Sequence, residues 1–253
     1  MSEITGLYAL WYREFKVYLR EKSRIVSSII NPLMWLVVFG SGIGASISLG
    51  AIHVENYQQF IYPGILTMAI LFSSIFFGVY IVWDKKIDFL KEVLISPLSR
   101  STIFFGKVLG GATDGLIQSF ILIILGVAFF GINFTALSFI LTIILVFLLT
   151  VGVVSIGLAI GAYMTSPEGF GLISSFVIFP LFFLSGALFP VSNLPAWMSV
   201  IVEANPLTYG VDALRGVILG VSTFGLGYDL LILIVFDIVM ILIGTYSFNQ
   251  MKV

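Results

Sequence analysis

Apolar residues gather into six long runs separated by short polar stretches. The runs are Ile25 to Ile47, Tyr62 to about Trp83, Val108 to Phe130, Ala136 to Met164, Phe170 to Phe189, and Asp229 to about Phe248. Each is about as long as the ~20 residues a helix needs to cross a bilayer. The pattern therefore predicts six transmembrane helices. Asn31-Pro32 falls near the start of the first run, where a proline is tolerated in a first turn or leaves a kink. Tyr62-Pro63-Gly64 opens the second. The fourth run is long enough to require tilting or bending.

The stretches between the runs carry most of the distinguishing pattern. Ile4, Leu7, Tyr8, Trp11, Phe15 and Tyr18 recur at helical spacing, with Arg13, Lys16, Arg20, Lys22 and Arg24 around them. An aromatic stripe among basic residues predicts a helix lying in the headgroup layer over residues 1–24. After Trp83 comes the largest hydrophilic excursion, residues 84–107. Within it, polar positions 84, 88, 91 and 92 and apolar positions 87, 90 and 94 follow the helical repeat, and Pro97 stops the helix. A further helix is expected near Ser101-Thr102, leading past Lys107 into the third span. Gly131 to Thr135 and Ser166-Pro167-Glu168-Gly169 read as tight turns, and Leu49 to Gln59 as a loop containing His53 and Glu55. A lone histidine there reads as solvated, since metal sites need converging partners.

The region before the last span is irregular. Pro190, Pro195 and Pro206 cut an otherwise membrane-grade sequence, and each proline marks a break or a helix start. Trp197, Glu203, Asn205, Asp212 and Arg215 are spread through it. Short half-helices that enter the membrane surface and return are expected over residues 190–224, because irregular backbone at depth must be buried in protein. Asp212 and Arg215, at i and i+3, are expected to form a local ion pair.

Composition fixes the class. The 253 residues are 59% hydrophobic and 10% charged, against roughly 25% charged for a soluble domain. An all-α integral membrane protein follows, with no room for a separate soluble domain. Cysteine is absent, which removes disulfides, thiolate catalysis and cysteine-based zinc sites. The N-terminal residues lack the apolar core and cleavage site of a signal peptide, so they are expected to stay on the mature chain. Six spans put both termini on one side. In that scheme Arg13, Lys16, Arg20, Lys22, Arg24, Lys85, Lys86, Lys91, Arg100, Lys107 and Lys252 share the side of the termini, and Arg215 alone lies opposite. The positive-inside rule then makes both termini cytoplasmic and the broken segment external.

No nucleotide cradle is present. Gly106-Lys107-Val108 lacks the glycine and hydroxyl of a phosphate loop, and the GATDG stretch at 111–115 is not one either. No cofactor or metal is expected on the chain, no acid/base constellation marks an enzyme, and no nucleic-acid partner is expected. Asp114 and Asp237 fall inside spans, where a central carboxylate costs about 2.5–3.5 kcal/mol on insertion scales. Each should face a partner group or a wet cavity. Proton or cation binding and a purely structural hydrogen bond are both open. No lysine or arginine is expected within the spans to complete a relay.

Tyr62-Pro63-Gly64, the Glu92-Val93-Leu94-Ile95-Ser96-Pro97 stretch, and the segment from Phe179 through Asn205-Pro206-Leu207 to Asp212-Ala213-Leu214-Arg215-Gly216 together resemble the permease subunit of type-two ATP-binding-cassette exporters. The similarity points to the daunorubicin-resistance and nodulation-factor branch and spans essentially the full chain. It implies a single transmembrane domain over residues 1–253: an interfacial elbow helix, a cytosolic coupling helix seated in an ATPase, and an external cap. Coupling would fall to Asp88, Leu90, Lys91, Glu92, Leu94 and Pro97. The external gate would involve Phe189, Pro190, Pro195, Trp197, Asn205, Pro206, Asp212 and Arg215. Implied partners are a second copy of the permease, two copies of a cassette ATPase that carries ATP and magnesium, and the lipids of the cell's inner membrane. The cargo would be amphipathic: a drug, a lipid or a lipid-linked glycan. Two readings compete: a proton- or ion-coupled carrier using Asp114 and Asp237, and a non-transporting membrane scaffold.

Overall fold

The computed structural model describes residues 2–44, 57–192 and 194–251. His53, Glu55, the end of the first apolar run and Lys252 lie outside them. The regular structure among the described residues is all helical, with no strand. The helices are α1 (Glu3–Arg20), α2 (Lys22–Gly44), α3 (Tyr57–Phe77), α4 (Val79–Lys86), α5 (Phe89–Ile95), α6 (Arg100–Phe130), α7 (Ala136–Tyr163), α8 (Pro167–Phe183), α9 (Ala196–Ala204), α10 (Pro206–Leu219) and α11 (Leu226–Gln250).

Five of the apolar segments are long enough to cross a bilayer: α2, the α3–α4 rod, α6, α7 and α11. The sixth, α8, has 17 residues, about 25 Å at 1.5 Å per residue, short of a ~30 Å hydrocarbon core. It ends at Phe183 rather than at the expected Phe189, one turn past Pro180, which cannot donate to the helix ladder. The second span departs from expectation at its other end. It starts at Tyr57, five residues before Tyr62, so Pro63 sits inside the helix. Gly64 there lies against the Ala187 backbone, where a Cβ would come within 2.4 Å of the carbonyl oxygen.

Glycine sets the packing of the central helices. Gly157 and Gly161, one turn apart on α7, face the α3–α4 junction at Gly78. A Cβ on Gly157 would lie 2.4 Å from the Ile75 carbonyl oxygen, and one on Gly161 2.3 Å from that of Gly78. Small residues four apart let two backbones touch, the usual device where water cannot drive helices together. The rod tightens at this crossing, Gly78 and Ile81 each donating to a carbonyl three residues back. On α6, Gly106 and Gly110 receive Leu10 and Glu14 of α1 in the same way.

The buried stripe of α1 is Gly6, Leu10, Glu14 and Tyr18, which shares only Tyr18 with the aromatic stripe of the sequence. Ile4, Tyr8 and Tyr12 of α1 are exposed, while Trp11 donates to Thr113 at 2.9 Å. The elbow therefore packs on α6 with a narrow small-and-charged face and turns aromatic side chains outward.

A four-charge network fixes it there. Lys107, fully buried on α6, donates to Glu14 at 2.9 Å and to Asp84 of α4 at 2.6 Å. Arg13 closes the ring, 2.7 Å from both Glu14 and Asp84, with its guanidinium 3.9 Å over the Phe89 ring. Two cations face two carboxylates, so the group is neutral. Burial alone would lower the Arg13 pKa, but Glu14 and Asp84 outweigh it and hold the guanidinium above its ordinary value. Two further cations close helix ends at this side of the bundle. Lys85 reaches the Gly161, Ala162 and Met164 carbonyls at the end of α7, and Arg100 those of Phe248, Asn249 and Met251 at the end of α11. With Glu3 accepting from Ser99, these contacts put both ends of the described chain at one end of the bundle.

Gly157→Val and Gly161→Val should each force α7 off the α3–α4 rod and destabilise the fold by about 1–3 kcal/mol, the range for overpacking. Gly171→Val, at a position with no atom within 4 Å of an added Cβ, should leave stability unchanged. Thermal unfolding in detergent followed by circular dichroism separates the three. Equal midpoints for all of them would contradict the glycine crossing.

Candidate functional site

The hydrophilic excursion folds as a tight hairpin between α4 and α6. The chain reverses at Asp88, whose φ of 58° is the one positive value among described non-glycine residues. The expected single helix is thus two, α4 and the seven-residue α5. Its two faces have opposite fates. Leu90 and Val93 are buried in a cluster with Leu10, Ile81 and Ile103. Ile87, Asp88, Lys91, Glu92, Ile95 and Pro97 are exposed, and Leu94 is half-buried. Leu90, to which the resemblance gave a coupling role, thus faces inward in this chain, because the elbow helix covers the face that would otherwise be free. Ile95, 84% exposed, holds the outward apolar position instead. A groove of about 290 Å³ runs between α1 and α5, lined by Gly6, Arg13, Phe89, Glu92 and Leu98 among others.

The acids inside the helices have specific neighbours. Asp114 lies 3.3 Å from Arg24 at the start of α2, so a cation does stand opposite it, contrary to expectation. Arg24 is held in turn by Tyr80, which donates to Glu21. Lys107, expected on the approach to the third span, is a second cation, fully buried, and lies within the long helix α6. Asp237 lies on the side of α11 that packs on α7, with Oδ1 where a Cβ on Gly152 would meet it at 2.3 Å. Asp114 and Asp237 thus occupy separate environments and form no shared relay. No cluster of three His, Cys, Asp or Glu side chains suited to a metal occurs among the described residues.

At the opposite end, the broken segment is two half-helices, α9 and α10, whose shared junction is closed by side chains. Pro195 occupies the cap position of α9, and Pro206 the first turn of α10, where the missing N–H is no loss. Asn205 joins three pieces. Its Oδ1 accepts from Leu207 N at 3.1 Å, and its Nδ2 donates to the Leu181 carbonyl at 2.7 Å near the end of α8. Thr208 and Tyr209 donate to the Val202 and Glu203 carbonyls at the end of α9. Phe189 and Pro190 lie in the irregular stretch after α8, and Trp197 is largely exposed.

Asp212 and Arg215 do not form the expected ion pair. Asp212 turns to the following loop and accepts from Ser222, Thr223 N and Phe224 N at 2.8–2.9 Å. Arg215 turns back, donating to the Gly186 carbonyl at 3.0 Å and lying 4.0 Å over the Phe60 ring. Tyr57 holds the same irregular stretch through the Leu188 carbonyl. Each charged group has thus closed a stretch of unpaired backbone, which is the more pressing demand in a dry region. Asn205→Asp keeps the acceptor at the start of α10 and loses the donor to α8, whereas Asn205→Ala loses both. Amide hydrogen exchange should show the first turn of α10 unprotected only in Asn205→Ala, at about 0.5–2 kcal/mol, the cost of a lost N-cap. Identical protection in both variants would remove Asn205 from its capping role.

Comparison with known proteins agrees with this architecture. A family model described as ABC-2 type transporter matches residues 5–219. The chain is 30% identical to the transport permease ycf38 of Cyanophora paradoxa, covering 93% of this chain and 86% of that protein. It is 26% identical to the inner membrane transport permease YadH of Escherichia coli strain K12, over 94% and 92%. Nodulation protein J of Rhizobium leguminosarum bv. viciae is 24% identical over 94% and 91%. The family match takes in the elbow, the hairpin and both half-helices, and the chain belongs to the ABC-2 type transporter family of membrane permeases.

Proposed function

We propose that this chain is the permease subunit of an ATP-driven exporter, working as a homodimer with two copies of a separate cassette ATPase. It sits in the inner membrane with both termini in the cytoplasm and moves an amphipathic cargo outward. The hairpin at α5 carries this reading. Its outer face offers Ile87, Lys91, Glu92 and Ile95 to a partner, and its inner face is packed into the elbow and α6. Force applied to α5 would pass through Phe89 and Arg13 to the buried charges and so into three helices at once. The sequence has no phosphate loop of its own, which supports a motor carried on another polypeptide. The clustering of cations at the terminal end supports a cytoplasmic placement. Cargo of lipid, drug or lipid-linked glycan type fits a path bounded by apolar helices, and the name of nodulation protein J fits the same branch.

An ion-coupled carrier would need acids free to load and release. Asp114 lies beside Arg24 and Asp237 against Gly152, so the two acids sit in separate environments and do not make one shared carrier site. Transport that collapses with the proton gradient and ignores ATP depletion would favour the carrier, and a chain that recruits a partner without moving solute would be a scaffold.

Co-expression with a cognate cassette ATPase tests the docking face. Ile95→Asp should leave the permease folded and weaken ATPase retention by about tenfold or more, equivalent to ~1.4 kcal/mol. Leu90→Asp should instead lose the folded hairpin, because it puts an unpaired charge in a packed cluster. Normal assembly of Ile95→Asp and a stable Leu90→Asp would place the docking surface elsewhere.

A further inference from the structure

A cavity of about 360 Å³ lies between α2, α3 and α6 on the terminal side of the bundle. It is separate from the hairpin and from the broken segment. Ser27, Asn31 and Phe76 at its rim are exposed, so it is open from outside the chain. Most of the α2 surface around it is also uncovered.

The polar groups on its wall divide by hydrogen-bonding capacity. Ser28 donates its hydroxyl to the Ile25 carbonyl, and Gln118 donates its amide to the Ser28 carbonyl at 2.7 Å. The one Ser28 hydroxyl proton and one of the two Gln118 amide protons are used inside the protein, so Ser28 Oγ and Gln118 Oε1 remain as acceptors beside a single Gln118 N–H. Arg24 is the charged donor on the wall. Its Nη1 is tied to the Tyr80 hydroxyl at 2.8 Å and lies within reach of Asp114 at 3.3 Å. Neither Asp114 oxygen accepts a directed hydrogen bond among the described residues, so the rest of the guanidinium fork is not taken up by it. The opposite wall is apolar, with Met68, Phe72 and Phe76.

A ligand that satisfies all three surfaces needs an anion for a planar guanidinium, a hydroxyl or ammonium donor for the acceptors, and an apolar portion for the aromatic wall. We propose that this cavity binds one phosphate-bearing lipid from the leaflet on the side of the termini. The phosphate sits on Arg24, a headgroup hydroxyl or ammonium faces Ser28 and Gln118, and the start of an acyl chain lies against Phe72 and Phe76. Arg24 is the residue that connects α2 to the elbow through Tyr80 and Glu21. Lipid occupancy would therefore bear on the join between the first span and the elbow. The inference concerns binding alone and goes beyond the transport reading: it stands or falls without the ATPase.

The test uses the full chain in neutral detergent with fluorescent phosphatidylglycerol, with diacylglycerol carrying the same tails and label, and with soluble glycerol phosphate as competitor. Wild type should retain phosphatidylglycerol about tenfold better than diacylglycerol, as expected of a charge-assisted phosphate contact. Glycerol phosphate should compete weakly. Arg24→Gln should bring the two lipids to parity. Ser73→Trp fills the cavity from the α3 side without touching Arg24 and should abolish retention of both, at an unchanged unfolding midpoint. It decides the matter if Arg24→Gln fails to fold. Equal retention of the two lipids by wild type, or full retention by a folded Ser73→Trp, would overturn the site. Complete displacement by glycerol phosphate would make it a phosphate site and not a lipid site. A Ser73→Trp chain that keeps its lipid but changes oligomeric state would show the face to be a contact between copies.

Discussion

The buried charge ring of Arg13, Glu14, Asp84 and Lys107 governs how the terminal end of this molecule is built. An isolated lysine at full burial on a transmembrane helix would be prohibitively desolvated. Lys107 persists because two carboxylates lie within 2.9 Å of it and Arg13 shares both. Those carboxylates come from two different elements, the elbow and the end of the second span. The ring can exist only when α1, α4 and α6 are assembled together. It therefore specifies one docking of the elbow where an amphipathic helix on lipid would have many. The glycines at 106 and 110 make the same demand sterically, since they admit Leu10 and Glu14 at backbone contact distance.

The opposite end solves a different problem. Prolines and the early end of α8 free backbone groups in a region with little water. Asn205, Asp212, Arg215, Tyr57 and Tyr209 are each directed at those groups. Polar side chains that would be costly as free charges become the closure of half-helices. The two ends are linked by the rod of α3 and α4, which carries Tyr57 and Phe60 at one extreme and Asp84 and Lys85 at the other. Movement of the hairpin would thus be felt along the helix that also supports the broken segment.

Much of this was legible in the sequence. Run length gave five spanning helices and the shorter α8, the prolines gave α9 and α10 within a residue of their starts, and Pro97 marked the gap before α6, which starts one residue before the expected Ser101-Thr102. What escaped was pairing across helices. The aromatic stripe of α1 was the stronger periodic signal, yet of its members only Tyr18 is fully buried, alongside Gly6, Leu10 and Glu14, because packing followed the glycines of the partner helix and not the hydrophobicity of α1 itself. Leu90 had the correct period for a helix face, but period does not say which face a neighbour covers. Asp212 and Arg215 had ion-pair spacing and were drawn apart by unpaired backbone that no local pattern reveals. Two signals were available: Gly106 with Gly110 and Gly157 with Gly161 are small residues at i, i+4 inside apolar runs.

A double-mutant cycle on Glu14 and Lys107 tests the dependence of the fold on the charge ring most directly. Removing Lys107 alone leaves two buried carboxylates against one arginine, and removing Glu14 alone leaves two cations against one acid. Removing both leaves the neutral Arg13–Asp84 pair. Unfolding free energies of Glu14→Gln, Lys107→Met and the double variant should therefore be strongly non-additive, the double variant being more stable than the sum of the singles by about 1–3 kcal/mol, the range for residues in one ionic network. Additive effects would contradict the claim that this ring holds the elbow in place.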